Sequence, residues 1–476
     1  MPPIIDWKEK LLIICVLLLA LCMRIHFMTR GFFYDELYLI THSLEALSLP
    51  EALYKDFSTA NHLGYTAIAY LTCHLLGTNE WTLRLAALLF GLGSIFLFWQ
   101  WSRKYFGKST AILGSLFLTL APAHMIWSAS GRGYSACIFF TILSTSLYFS
   151  LLEKPSLKTS VMLALANTFG FSFQILFLFL FLVQVLHFLL ASIRFYSKHE
   201  ISIKKDSLLL NLLSIFLTIL FSVLIYLPTL PTLKLMSSGH NALVADFPLT
   251  LLRDLLSLPL WPLGLSCLIL MFIGFMFSNQ RLPYWKFYVA ALFFMVFPLW
   301  LSKPVYLFPR FFAFLLPFFF LLLSQGIIGI VERSSRWLRP FVMILLAIVV
   351  GFVFWVWLTK SSKIVENFYY KFRESVKFAE SVASKQTSFC AFGPEDGFYQ
   401  VYSHRPVVRF KTLEEFQAYY NRENEIICFA IMGPPMPDEH KKILLFTLTR
   451  LNPKVKSFDN VIVYDLKDNP LDFNRS

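Results

Sequence analysis

The chain has 476 residues, of which 57% are hydrophobic and only 15% charged, and it carries a formal net charge of +13. Soluble domains hold about 25% charged residues, so the composition excludes a soluble globular protein and indicates a polytopic membrane protein. The charge is uneven, +11 over the first 359 residues and +2 from Lys360 onward. It falls in short loops between apolar runs, which speaks for membrane orientation and against nucleic-acid binding.

The expected fold class is a polytopic α-helical membrane protein with a small C-terminal α/β domain. Apolar runs near bilayer-spanning length, about 20 residues, are predicted over Leu11–Thr29, Trp81–Trp101, Thr110–Trp127, Tyr134–Leu152, Thr159–Gln174, Ile175–Ile193, Leu208–Leu227, Leu255–Phe277, Phe287–Leu301, Tyr306–Ile330 and Phe341–Leu358. These make roughly eleven transmembrane helices. Leu11–Thr29 is too long for a signal-peptide core and no small-residue cleavage site follows it, so it reads as a retained helix. The stretch from Thr159 to Ile193 is too long for one span and tight for two.

A long first outer loop, residues 30–80, holds two more apolar segments at helical spacing, Leu37–Leu49 and Leu63–Leu76. Both are expected to lie in the membrane interface. Residues 1–359 are thus read as the membrane domain and 360–476 as the small domain. In the latter the pattern predicts a helix over Phe368–Ala383, a strand over Ser388–Phe392, a helix over Leu413–Tyr420, a strand over Ile426–Ile431, a helix over Pro437–Leu451 and a strand over Val461–Tyr464. Alternating strands and helices imply a partly parallel sheet. The seven cysteines show no paired metal spacing. Cys390 and Cys428 share the C-terminal domain, where two buried strand thiols are expected rather than a disulfide.

Basic residues alternate between loops. Lys8 and Lys10, Arg103 to Lys108, Lys154 and Lys158, Arg194 to Lys205, Arg281 with Lys286, and Arg333 to Arg339 account for 16 of the 25 in the first 359 residues. The positive-inside rule then puts the N-terminus in the cytoplasm and the C-terminal domain outside. The other nine, Arg24, Arg30, Lys55, Arg84, Arg132, Lys234, Arg253, Lys303 and Arg310, fall on the outer side. Orientation disfavours cations there, and an anionic ligand would account for them. Some have a plainer reading: Arg84 near a helix start can snorkel, and His62 can cap a helix. His74 and His124 read as structural. Lys234, His240 and Asp246 lie in an outer loop after the seventh span that could fold over substrate or merely connect.

Directly after the first span stands Tyr34-Asp35-Glu36. Two adjacent carboxylates at a membrane boundary need solvation, pairing or a cation. With Lys55, His62, Tyr65, Arg84, Arg132, Tyr134, Lys303, Tyr306 and Arg310 they would place acids, cations, hydroxyls and an imidazole at one outer surface, where a lipid phosphate presents its head group.

These motifs resemble the type-C glycosyltransferases, in the branch of dolichyl-phosphate-mannose protein mannosyltransferases and the bacterial aminoarabinose transferase of lipid A. The matching residues are Asp35-Glu36, His62-Leu-Gly-Tyr65, Gly77-Thr-Asn-Glu80-Trp-Thr-Leu-Arg84-Leu85, Arg132-Gly-Tyr134 and Arg310-Phe311. The likeness is good over about the first 150 residues and looser beyond. Leu63-Gly64 replaces the family's Pro-Pro, Phe311 its late Tyr, and the first Arg of the third motif is absent. The resemblance implies a polyprenyl-phosphate sugar donor and a lipid, glycan or protein acceptor outside the cytoplasm. Membrane lipids are the further partners, and no nucleic acid is expected. A bacterial inner (plasma) membrane suits the compact loops.

The chemistry assigns Asp35 as base for the acceptor hydroxyl and Glu36 as an orienting group. Arg132, Lys303 and Arg310, backed by Lys55 and His62, would stabilise the leaving phosphate. No cofactor is demanded, although a divalent metal, Mg or Mn, bridging Asp35 and phosphate is compatible with hard oxygen ligands. Alternatives are a lipid-linked glycan polymerase or ligase, a lipid or solute transporter, and a scaffold whose C-terminal domain binds partners. A transporter would show mid-membrane charges and internal repeats; the apolar runs lack mid-helix charges almost entirely, and no repeat relates the two halves.

Overall fold

The computed structural model describes residues 7–55, 57, 62–198, 205–230, 247–257, 263–278, 282, 284–295, 309–368, 371–392, 396–410, 412–423, 425–431, 441–444, 447, 454–458 and 461–466. By its contacts the chain divides into two units, one of Met1–Met28 with Leu53–Ile364 and one of Thr29–Ala52 with Val365–Ser476. The stretch after the first span, read from the sequence as part of the membrane domain, has its contacts with the C-terminal residues.

Helices in chain order are α1 (Trp7–Met28), α2 (Tyr34–Leu39), α3 (Leu49–Tyr54), α4 (Leu63–Leu76), α5 (Glu80–Phe106), α6 (Lys108–Leu120), α7 (Pro122–Trp127), α8 (Tyr134–Glu153), α9 (Leu157–Phe173), α10 (Leu178–Lys198), α11 (Lys205–Tyr226), α12 (Phe247–Leu256), α13 (Leu265–Phe277), α14 (Trp285–Phe294), α15 (Leu316–Arg333) and α16 (Arg339–Phe368). All eleven expected spans are helical over at least part of their length. Among the described residues seven helices are long and apolar enough to cross a bilayer, so the count of eleven is not confirmed. Local breaks divide several of the predicted segments. Pro122 at the first position of α7 splits Thr110–Trp127 into two helices. Gln174 is extended and separates α9 from α10, so Thr159–Ile193 is two helices. The predicted Leu37–Leu49 helix is likewise broken: α2 runs into a π-helical turn, Ile40–Leu44, and α3 starts afresh at Leu49.

The membrane unit is held by close backbone contact and by polar ties. A Cβ on Gly326 would sit 1.9 Å from the Leu270 carbonyl, and one on Gly274 equally close to that of Leu322. Only glycine permits that approach of α13 and α15. Ser144, Asn167 and Gln184 close a buried ring: Ser144 donates to Asn167 (2.5 Å), Asn167 to Gln184 (3.1 Å) and Gln184 to Ser144 (2.7 Å). It joins α8, α9 and α10 without exposing a polar atom to lipid. Buried Glu9 accepts from Arg103 at 2.5 Å, tying α1 to α5.

The second unit carries α17 (Phe372–Val382), β1 (Thr387–Phe392), β2 (Val407–Arg409), α18 (Leu413–Tyr420), β3 (Glu425–Ile431), β4 (Lys454–Phe458) and β5 (Val461–Asp465). The sheet order is β2-β1-β3-β5-β4, with β1 parallel to β2 and β3, and β5 antiparallel to β3 and β4. The partly parallel sheet is as expected. Strands β2 and β4, which the pattern did not reveal, are its two edges; one has three residues and the other carries Lys454 and Lys456, which is how edges are protected. Most of the predicted helix Pro437–Leu451 lies outside the described residues, which form a helix at 441–444. Cys390 and Cys428 stand opposite each other in the parallel register with Cα atoms 4.6 Å apart, and they form a disulfide. The expectation of two thiols is corrected: direct register places them within bonding distance.

Candidate active site

In the membrane unit the site is built around the turn between α7 and α8, Ser128–Gly133. Every residue of this turn is buried, so its polar groups need partners inside the protein. Arg24 of α1 supplies several. Its Nε donates to Ser128 Oγ (2.6 Å), and its terminal nitrogens reach the Ala20 carbonyl (3.0 Å), the Thr119 carbonyl (3.2 Å) and His124 Nδ1 (2.8 Å). An arginine only donates, so His124 Nδ1 accepts and the proton sits on Nε2. Nε2 in turn donates to Ser94 Oγ (2.9 Å), which donates to the Gly91 carbonyl (2.7 Å). The chain of bonds has one direction and ties α1 and α5 to α7 and the turn that follows it.

This corrects the reading of Arg24 as a cation awaiting an anionic ligand: backbone carbonyls, a hydroxyl and a neutral imidazole satisfy it. His124 is structural, as expected, and specifically an acceptor for Arg24. Replacing Arg24 by Met orphans those acceptors. Each hydrogen bond to a charged group is worth about 1.5–3 kcal/mol. Arg24→Met is therefore expected to lower the melting temperature in detergent by several degrees and to reduce transfer, whereas Leu89→Ala on the lipid-facing surface of α5 should do neither.

The turn presents Arg132 and Tyr134. Arg132 is buried, and the Tyr134 ring lies edge-on to His62 (centroids 4.8 Å apart) and tilted against Trp127 (5.9 Å). Gly133 permits this packing, since a Cβ there would lie 2.7 Å from the Phe173 carbonyl and 3.1 Å from the His62 ring. His62 precedes α4 but makes no side-chain cap. Its Nδ1 donates instead to the Phe173 carbonyl, so the helix-capping alternative is replaced by a contact across the fold. Burial pushes the imidazole well below its usual range, and the Arg132 and Arg310 charges push the same way; the bond to Phe173 opposes them. His62 is therefore neutral, with Nε2 as an acceptor. Nε2 is buried and has no hydrogen-bond partner among the described residues. Arg310 stands in the 3-10 turn Pro309–Leu315, which packs against α8 and α12.

Other predicted residues have structural employment. Tyr65 donates to the Leu83 carbonyl and pins α4 to α5. Arg84 does not snorkel. It is fully buried and donates to the carbonyls of Met28 (3.0 Å) and Phe27 (3.4 Å), a cation at the carbonyl end of α1. The Gly77–Arg84 block also has a local account: Gly77 has φ +81°, and Asn79 caps α5 by accepting from Trp81 and Thr82, with Thr82 returning the bond. Lys55 is exposed after α3. Lys303 and Tyr306 lie outside the described residues, as do Lys234, His240 and Asp246.

Tyr34, Asp35 and Glu36 belong to the second unit. They form the first turn of α2, where negative charge is favoured. Glu36 is fully buried, and its carboxylate accepts from the Phe33 amide at 3.0 Å, the return half of a capping box. Asp35 is half-buried. The two acids are thus distinguished: Glu36 locks the turn that Asp35 occupies. Among the described residues no three His, Cys, Asp or Glu side chains gather as a metal cluster.

The family model for dolichyl-phosphate-mannose-protein mannosyltransferase matches residues 63–226, from α4 through the Arg132 turn to the end of α11. ArnT from Cupriavidus metallidurans is similar in structure over 96% of this chain and 98% of its own. The TM-score is 0.58 at 13% identity for the apo state and 0.61 at 11% for the state bound to undecaprenyl phosphate. The Archaeoglobus fulgidus oligosaccharyltransferase AglB, in complex with an inhibitory peptide and a dolichol-phosphate, matches with TM-score 0.52 at 10% identity over 89% of this chain and 70% of its own. No curated protein matches the sequence. The chain has the fold of ArnT, with a helical membrane part and a small C-terminal sheet domain.

Proposed function

We propose that this chain is a membrane glycosyltransferase moving a monosaccharide from a polyprenyl-phosphate donor to a lipid, glycan or protein acceptor outside the cytoplasm. The observation that carries this reading is buried Arg132 in the turn whose Gly133 and Tyr134 pack on His62, in a fold shared with ArnT bound to undecaprenyl phosphate. A buried guanidinium favours an anion beside it, and a phosphate accepts bidentate guanidinium bonds. In the reaction the acceptor oxygen bonds to the anomeric carbon, the bond from that carbon to the phosphate oxygen breaks, and the phosphate leaves with the electron pair. A single displacement inverts the anomeric configuration. Asp35 takes the hydroxyl proton, and Arg132 with Arg310 stabilises the phosphate. His62 Nε2 offers an acceptor to a donor hydroxyl.

A divalent cation at Asp35 is a further proposal. Hard cations favour carboxylate and phosphate oxygens, and dependence on Mg or Mn with loss in chelator is its test. The reading includes a bacterial plasma membrane with the N-terminus cytoplasmic, and the basic loops support that orientation. The disulfide supports an oxidising compartment for the C-terminal unit. The likeness to AglB supports a glycan ligase as the second reading.

The deciding experiment incubates purified protein with defined polyprenyl-phosphate sugars and lipid, glycan and peptide acceptors, and measures release of free polyprenyl phosphate. Acceptor-dependent release supports the proposal. Turnover confined to a pyrophosphate-linked oligosaccharide supports the ligase, and lipid movement without release supports a transporter.

A further inference from the structure

The C-terminal unit grips the chain directly ahead of Asp35. Residues 31–33 are neither helix nor strand, so their backbone groups need outside partners. Arg373 of α17 donates from Nη1 to the Thr29 carbonyl at 3.0 Å. The Phe32 amide donates to the Tyr402 hydroxyl. Gly31 runs beneath both side chains, with the Arg373 Cβ and Tyr402 oxygen each 3.4 Å from where its own Cβ would be. Ring contacts continue the grip. Phe32 packs on Tyr402 (5.7 Å) and Tyr34 edge-on to Phe398 (5.2 Å). Phe398 meets Phe372 (5.8 Å), which meets Tyr399 (5.2 Å), which stacks on Phe429 of β3 (4.7 Å). An unbroken line of rings joins the residue before Asp35 to the sheet core.

We propose that Arg373 and Tyr402 are positioning residues for the Asp35-Glu36 turn, so that the C-terminal unit is part of the transfer machinery. The inference rests on the reading of Asp35 as base. A base must stand within hydrogen-bond reach of the proton it takes, and a displacement near 1 Å can cost on the order of 100-fold. Glu36 fixes the turn internally; Arg373 and Tyr402 fix where the turn sits on its own unit.

The test uses the full-length protein. Tyr402→Phe keeps the ring packing and removes the acceptor for the Phe32 amide; Arg373→Met removes the donor to Thr29. For both, kcat, the donor KM and hydrogen exchange of peptides covering 29–37 and β1–β3 are measured beside Asp35→Asn. The expected result is a kcat about 10–100-fold lower, a donor KM within about twofold, faster exchange at 29–37 and unchanged exchange in the sheet. Faster exchange at 29–37 with full kcat overturns the proposal, as does a kcat loss accompanied by faster exchange throughout the sheet. Full transfer by Asp35→Asn removes the base assignment itself, whichever way Tyr402→Phe comes out.

Discussion

Arg132→Ala is expected to lose about 10²–10³-fold in kcat/KM, the scale of removing one preorganised donor from a site where anionic charge develops. Most of the loss should sit in kcat if the guanidinium meets charge that grows as the phosphate leaves, with the remainder in the donor KM. Arg132→Lys should recover only part, because an ammonium cannot form the two-pronged bond to phosphate. Arg310→Ala should fall in the same range. The double variant should lose less than the product of the two, since both groups act on one buried place. Steady-state transfer over a series of donor concentrations reads all of these, and wild-type kinetics in Arg132→Ala would remove Arg132 from the site.

The same variant has a second signature at His62. In the native protein burial, then Arg132, hold the imidazole well below its usual range, so it stays neutral near pH 6.5. The unfolded chain binds that proton and the folded one does not, so this group weakens the fold as pH drops below about 6.5. Removing Arg132 removes one depressing charge, and the His62 titration should move upward. Nuclear magnetic resonance of labelled histidine follows it directly; an unmoved titration would contradict the proximity of the two groups.

Asp35→Asn should reduce the transfer rate by about 10²–10⁴-fold, the usual contribution of a positioned base, while donor binding persists. Glu36→Gln should lose far less, about tenfold at most, because the amide oxygen can still accept from the Phe33 amide and keep the first turn of α2 closed. Glu36→Ala opens that turn and should lie between them. Single-turnover measurements with labelled donor separate binding from transfer. The assignment fails if Asp35→Asn and Glu36→Gln both retain full transfer.

How much of this was legible in advance follows from the range of each signal. Membrane class and helix placement could be read because hydropathy is local and additive along the chain. The mixed sheet was legible for β1, β3 and β5, which are apolar; it was not for the edges β2 and β4, one short and one interrupted by lysines. By sequence Arg24 and Arg84 group with the outer cations, because sequence shows a charge but not what surrounds it.

By itself the sequence determined the solvent this protein lives in, the register of most helices and the set of chemical groups available for transfer. Tertiary structure alone decided which of those groups are spoken for. Arg24 finds Ser128 across 104 positions, His62 finds Phe173 across 111, and Phe32 finds Tyr402 across 370. Cys390 and Cys428 become a bond only because two strands 38 residues apart align in parallel register. Periodicity fades within a few turns of helix, whereas burial, bonding and charge pairing depend on distance in space. Recognising that Arg24 and Arg84 support the scaffold therefore required the folded chain.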